Sequence, residues 1–130
     1  MKCIFFNYND SLANTSRDIF KSLGLNNIIE GESTYSINET YFKKSILGIE
    51  LKLEENCYEH EEEFRFTLFV DQDALSRVKP LNSQETELLL TYLISQNISE
   101  FLGIKAFIEV DDHYFMFDSN ENILSFLERV

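Results

Sequence analysis

The sequence predicts an α+β fold, a single domain over residues 1–130 with helices packed on an antiparallel or mixed sheet of about five to six strands. Three observations predict it. Two stretches alternate cleanly between apolar and polar residues, Ile49-Glu50-Leu51-Lys52-Leu53 and Phe64-Arg65-Phe66-Thr67-Leu68, as half-buried strands do. Apolar residues between Leu89 and Phe101 recur at helical spacing. Finally, the strands follow one another with short connections, which favours hairpins over parallel crossovers.

Taken in order, Lys2–Asn7 is an apolar strand, with Ile4, Phe5 and Phe6 too continuous for a solvent-facing edge. Leu12, Ile19, Phe20 and Leu23 then mark a helix. Asn9, Asp10 or Ser11 would cap its start and Gly24 its end. Ile28-Ile29 could open a short strand, whereas Glu30-Gly31-Glu32-Ser33 reads as a loop. Tyr41–Leu47 and Gly48–Leu53 are strands broken or bent near Gly48. Along Phe64–Val70, Phe64, Phe66, Leu68 and Val70 should face one way and Arg65 and Thr67 the other. The only proline, Pro80, precedes Asn82-Ser83-Gln84-Glu85, which has the form of a capping box. The helix it starts should bury Leu90, Ile94, Ile98 and Phe101, with Leu89 and Leu93 beside them, and stop at Gly103. Strands Ile104–Val110 and His113–Asp118 flank a tight Asp111-Asp112 turn, and Asn120–Arg129 closes the chain as a short helix. Strands 49–53 and 64–70 should pair antiparallel.

Composition narrows the function classes. At 44% hydrophobic residues, with 12 Phe and 6 Tyr, the chain has the apolar material for a core and is not a disordered acidic tail. No apolar run approaches the roughly 18 residues of a membrane span, and the start, Met1-Lys2-Cys3-Ile4-Phe5-Phe6-Asn7, turns polar too soon for a secretory signal. Cys3 and Cys57 have no paired spacing and read as thiols of a reducing cytoplasm.

Charge is the strongest signal. The net charge is −12, and residues 48–130 carry all of it, because residues 1–47 balance. The segment Glu54-Glu55-Asn56-Cys57-Tyr58-Glu59-His60-Glu61-Glu62-Glu63 holds six carboxylates and no Lys or Arg. Nucleic acid and anionic membranes would be repelled as direct partners, whereas a basic protein would be attracted. Acidity that merely keeps a cytosolic protein soluble is the plain alternative.

Candidate chemistry is sparse. Cys57-x-x-His60 is half of a zinc pattern, and Cys3 and His113 offer no second half. His60 as a general base lacks a nucleophile beside it, and a solvated histidine in an acidic loop is the simpler reading. Asp111-Asp112-His113 could hold a hard cation, but aspartates at a turn need no metal to explain them. Gly24, Gly31, Gly48 and Gly103 are scattered and make no phosphate loop. Tyr35, Tyr41 and Tyr58 fall in or beside polar segments, where an exposed tyrosine can anchor an interface.

The central block, Glu32-Ser33-Thr34-Tyr35, Tyr41-Phe42 and Leu47-Gly48-Ile49-Glu50-Leu51-Lys52-Leu53 through Phe64, resembles a type of bacterial immunity protein. Such proteins neutralise the C-terminal toxin domains of contact-dependent growth inhibition systems and related polymorphic toxins. The likeness covers roughly residues 30–70, and the chain as a whole shares the small size, acidity, α+β character and lack of catalytic motifs of that type. It implies a cognate toxin domain as partner, most often a basic nuclease, met in the cytoplasm. The charge pattern, not the resemblance, supplies the expected toxin-binding surface: Glu55, Tyr58, Glu59, Glu61, Glu62 and Glu63, extended by Asp71 and Asp73. Tyr58 would be the anchor. The expectation includes no catalytic residue, cofactor, metal, direct nucleic acid or membrane contact. A small cytosolic enzyme or a regulatory adaptor domain is the alternative.

Overall fold

The computed structural model describes residues 2–32, 40–58, 60 and 62–130. Among them the element order is β1 (Lys2–Phe6), α1 (Leu12–Ser22), β2 (Ile29–Glu32), β3 (Thr40–Ile46), β4 (Ile49–Glu55), β5 (Phe66–Gln72), α2 (Ser83–Leu102), β6 (Phe107–Val110), β7 (His113–Met116) and α3 (Ile123–Arg129). All seven strands join one sheet in the order β2-β3-β4-β5-β1-β6-β7, and every neighbouring pair is antiparallel. The α+β fold is as the sequence predicts, with one or two more strands. No helix among the described residues is long and apolar enough to cross a membrane.

The predicted pairing of the two alternating stretches is present: Leu51 lies opposite Val70, and Leu53 opposite Leu68. The additional strand is β2. Its Glu30-Gly31-Glu32 segment reads as a loop because of the glycine, yet Gly31 lies opposite Tyr41, whose ring occupies the space a side chain would fill. A glycine covered by a cross-strand aromatic remains strand-competent. Ser33 and Tyr35 lie outside the described residues.

The sheet has a covered face and an open face. Ile4, Phe6, Ile49, Leu51, Leu53, Phe66, Leu68 and Val70 meet Ile19, Phe20, Ile94, Ile98 and Phe126 of the helices in one large core. Cys3, Phe5 and Phe69 form a smaller cluster on the opposite side, with Phe64 and Phe107 packed against it. β1 is thus buried on both faces, which accounts for its unbroken apolar run. Both cysteines are thiols.

Helix ends follow their capping chemistry. Ser11 and Asn82 accept from the backbone N–H groups of Asn14 and Glu85, and Gly103 closes α2 in a left-handed conformation. The buried stripe of α2 differs from the predicted one. Glu87, Thr91, Ile94, Ser95 and Ile98 face the sheet, whereas Leu89, Leu93 and Phe101 are exposed. Thr91 and Ser95 are small enough to let the helix lie close over β1 and β5, and Glu87 is held there by Lys2.

Two tight turns carry positive φ. Asp111 (φ 53) opens the β6–β7 turn without a glycine, as aspartate tolerates. Leu47 (φ 53) and Gly48 (φ 81) make the β3–β4 turn, as two-residue hairpins require. A Cβ on Gly48 would lie 2.5 Å from the Val78 carbonyl oxygen and 2.8 Å from Pro80, whereas one on Gly24 (φ 72) meets nothing within 4 Å. Gly48→Ala should therefore cost about 1–3 kcal/mol, and Gly24→Ala only about 1 kcal/mol. Urea unfolding of the two variants checks the order; equal losses would mean that the Val78–Pro80 segment yields.

Candidate functional site

The acidic segment does not stand away from the sheet as a loop of charges. Glu54 and Glu55 belong to β4, and Glu54 is fully buried on the open face. Beyond Asn56, Tyr58, His60 and Phe64 set their rings against that face, Tyr58 while keeping part of its surface exposed. Tyr58 stands edge-on against Phe69, ring centroids 5.1 Å apart. His60 packs against Phe5, Phe107 and Tyr114 at 5.5, 5.1 and 5.3 Å. Phe64 stacks on Phe107 at 5.3 Å with the planes 12° apart.

The structure differs from two sequence expectations. His60 is not a solvated histidine: its Nε2 is buried without a hydrogen-bond partner among three aromatic rings, on a backbone with φ 62. Phe64 does not share a face with Phe66, Leu68 and Val70. It precedes β5, outside the regular alternation, and turns to the open side with Phe5.

Two asparagines fasten the segment. Asn56 donates from its backbone N–H to the Arg65 carbonyl (2.7 Å) and from Nδ2 to the Phe64 carbonyl (3.0 Å). Its Oδ1 accepts from the Tyr58 N–H (3.0 Å). Asn7, just beyond β1, donates to the Glu63 carbonyl and accepts from the Arg65 N–H, both at 2.8 Å. The backbone N–H groups of Glu63 and Phe64 close onto the His60 carbonyl. With the rings inward, Glu62 and Glu63 are left exposed at the end of the sheet.

The predicted surface residues therefore fall into three places. Glu55, Glu62 and Glu63 gather around Arg65, whose guanidinium lies 3.9 Å from Glu55. Tyr58 and Asp71 line one cleft on the open face. Asp73 sits past the end of β5, accepting from the Ser45 hydroxyl and the Leu75 N–H. The Ser45 bond, first, and the Leu75 bond hold its carboxyl below the usual carboxylate range. It lies roughly 20 Å along the strand from the loop end, at about 3.3 Å per residue. Glu59 and Glu61 lie outside the described residues.

Sequence reasoning missed the role of Glu54. Its Oε1 accepts from the Tyr58 hydroxyl (3.3 Å) and lies 3.7 Å from Lys52 Nζ, while Oε2 is buried without a partner. Burial raises its pKa, with Lys52 and the Tyr58 bond acting the other way. The Tyr58 hydroxyl is also pushed up, by burial and then by the Glu54 charge. Lys52 Nζ rests over the Tyr41 and Phe69 rings at 5.6 and 5.5 Å. The alternation itself was the available signal: Glu54 continues the polar face of β4 with Glu50 and Lys52, so it belongs to the strand.

The raised pKa has a definite sign. A folded-state pKa above the unfolded one means that folding favours the protonated acid. Stability is then full below the unfolded pKa and falls as pH rises through the folded one. Glu54→Gln keeps an acceptor for Tyr58 and removes the buried charge. It should be more stable than the natural chain at neutral pH and lose that advantage below pH about 4, where unfolded glutamate is itself protonated. Denaturant unfolding across that range measures it; a constant difference between the two proteins would refute the assignment.

Compared with protein families, curated proteins and solved structures, the chain matches none.

Proposed function

We propose that this chain is an immunity protein that binds and neutralises a basic toxin domain of the nuclease type in the cytoplasm, through its acidic surface. One observation carries the reading: the described residues of the acidic segment are anchored on the open face, with His60 and Phe64 packed on its rings and Tyr58 edge-on to Phe69, while Glu62 and Glu63 are exposed. A free acidic loop needs no aromatic anchors and no asparagine clamps. A surface that must meet a partner in one geometry benefits from both, because a pre-ordered loop loses less entropy on binding. Crowded carboxylates repel one another, and the net charge of −12 adds to that repulsion. A cationic partner relieves it.

Surface carboxylates of this kind set the encounter rate and its salt dependence. Reversing Glu62 and Glu63 to Lys should slow association with the protein encoded immediately upstream by roughly tenfold at low ionic strength. It should also flatten the dependence of that rate on salt. Surface-captured kinetics at several salt concentrations give both numbers. Unchanged kinetics, with circular dichroism intact, would remove the acidic end from the interface. If the unmodified chain neither binds that protein nor protects cells that express it, the immunity reading fails.

A further inference from the structure

The two ends of the sheet differ in shape and in charge. β5 runs from Phe66, opposite Glu55 and Phe6, to Gln72, opposite Ile49. Asn7, Phe64 and the exposed carboxylates Glu62 and Glu63 therefore stand at one end, and the Leu47-Gly48 turn and residues 73–81 at the other. That second end is an apolar tip. Leu75 is 93% exposed, Leu81 is wholly exposed, and Leu47 and Val78 are more than half exposed. They are neighbours, because the Val78 carbonyl and Pro80 close over Gly48. Hydrogen bonds hold the tip in shape. The Asp73 N–H donates to the Gly48 carbonyl (2.9 Å), the Leu75 N–H to the Asp73 carboxylate (3.0 Å) and Lys79 Nζ to the Ala74 carbonyl (3.2 Å). Contiguous apolar side chains held outside a core mark an interaction surface. Arg77 and Lys79 lie among them, two cations in a chain of net charge −12, while the carboxylate of Asp73 is turned back onto Ser45 and Leu75.

The acidic end carries the matching shape. A groove of about 560 Å³ opens there, with Tyr8, Phe64, Leu102, Ile104, Lys105 and Met116 in its lining, a size that admits several side chains. It shares Asn7 and Phe64 with the shallower cleft of Glu62 and Glu63. Those two carboxylates thus stand at its rim, where they outnumber Lys105, the cation of the lining. We infer that the tip of one molecule seats in the groove of a second copy, with Leu75 and Leu81 against Phe64, Leu102 and Met116, and with Arg77 and Lys79 toward Glu62 and Glu63. Two tips facing each other would crowd four cations, and two grooves would crowd four carboxylates, so opposite ends meet. Such a contact is heterologous and leaves a free tip and a free groove, from which assembly continues to a ring or a chain. The net charge opposes approach from afar, but at physiological salt the screening length is about 8 Å, and the groups in contact decide the outcome. The inference goes beyond the proposed function and does not depend on it, since both surfaces belong to this chain.

The test is sedimentation velocity of the full chain under reducing conditions at physiological salt, across a wide range of concentrations. The natural chain should grow in mass beyond the monomer as concentration rises. Leu75→Ser with Leu81→Ser removes the tip, and Met116→Arg fills the groove with a like charge. All three side chains are substantially exposed, so both variants should unfold at the natural temperature. Each alone should associate at least roughly tenfold more weakly, because burying two leucines contributes more than that factor. Mixed together they should form a one-to-one dimer and nothing larger, since one keeps an intact groove and the other an intact tip. A natural chain that stays monomeric at every concentration overturns the inference, as it would if the tip entered another protein or a lipid surface instead. Loss of association in the tip variant but not in the groove variant also overturns it, by showing that tips pair with tips. So does a mixture that yields no dimer. None of these results bears on binding of the upstream-encoded protein by the monomer, which is measured separately.

Discussion

Replacing Lys2 with Met should destabilise the protein by about 3–5 kcal/mol, and replacing Glu87 with Leu in the same chain should recover most of that loss. Lys2 shares the covered face of β1 with Ile4 and Phe6, and its Nζ lies 3.3 Å from Glu87 Oε1 on α2. Their side chains are only 4% and 5% exposed. Two charges removed from water together compensate each other, whereas one left behind has neither water nor counter-ion. The single change would therefore consume about a fifth or more of a typical stability of about 5–15 kcal/mol. The double change substitutes apolar volume at a site already walled by apolar residues. Urea unfolding of the single and double variants decides the matter. Equal losses in both would mean that the pair contributes packing rather than charge compensation. The pair lies on the helix side of the sheet, so partner binding by the folded fraction should persist in both variants.

This ion pair also shows where the sequence stops being informative. Alternation at Ile49–Leu53 and Phe66–Val70 is a local pattern with a local cause, a strand with two unlike faces, and it specified both strands and their pairing. Caps were equally legible, because Ser11, Asn82 and Gly103 act within four residues of their own helix ends. What escaped depends on contacts between distant segments. Glu87 looks like a solvent position until Lys2, 85 positions earlier, is placed beneath it. Gly31 looks like a loop until the Tyr41 ring covers it. The acidic segment was legible as charge but not as shape. Its inward rings find their partners in Phe5, Phe69, Phe107 and Tyr114, on four strands that no local pattern brings together.

That shape makes the second prediction. Phe64→Ala should lower stability by about 2–3 kcal/mol, less than a fully buried phenylalanine would cost because Phe64 is only half-buried. It should also weaken partner binding without altering a single charge. Phe64 stacks on Phe107 at 5.3 Å and lies 6.3 Å from Phe5, and its carbonyl and N–H are tied to Asn56 and His60. Removing the ring takes away the apolar contact that holds the segment between His60 and Arg65 against the open face. Glu62 and Glu63 would then be presented by a looser loop, and a partner would have to order it on binding. That ordering costs about 0.5–1.5 kcal/mol for each side chain immobilised, which should appear in dissociation more than in association. Charge reversal at Glu62 and Glu63 makes the opposite prediction, a change in association and in salt dependence with the loop intact. The two variants thus separate the shape of the acidic surface from its charge. Amide hydrogen exchange across residues 56–65 supplies the independent reading: faster exchange there in Phe64→Ala, with the β4 and β1 amides still protected. A variant that binds at unchanged rates while its loop exchanges faster would show that the anchored conformation serves the fold alone. In that case the acidic end would meet its partner without pre-ordering.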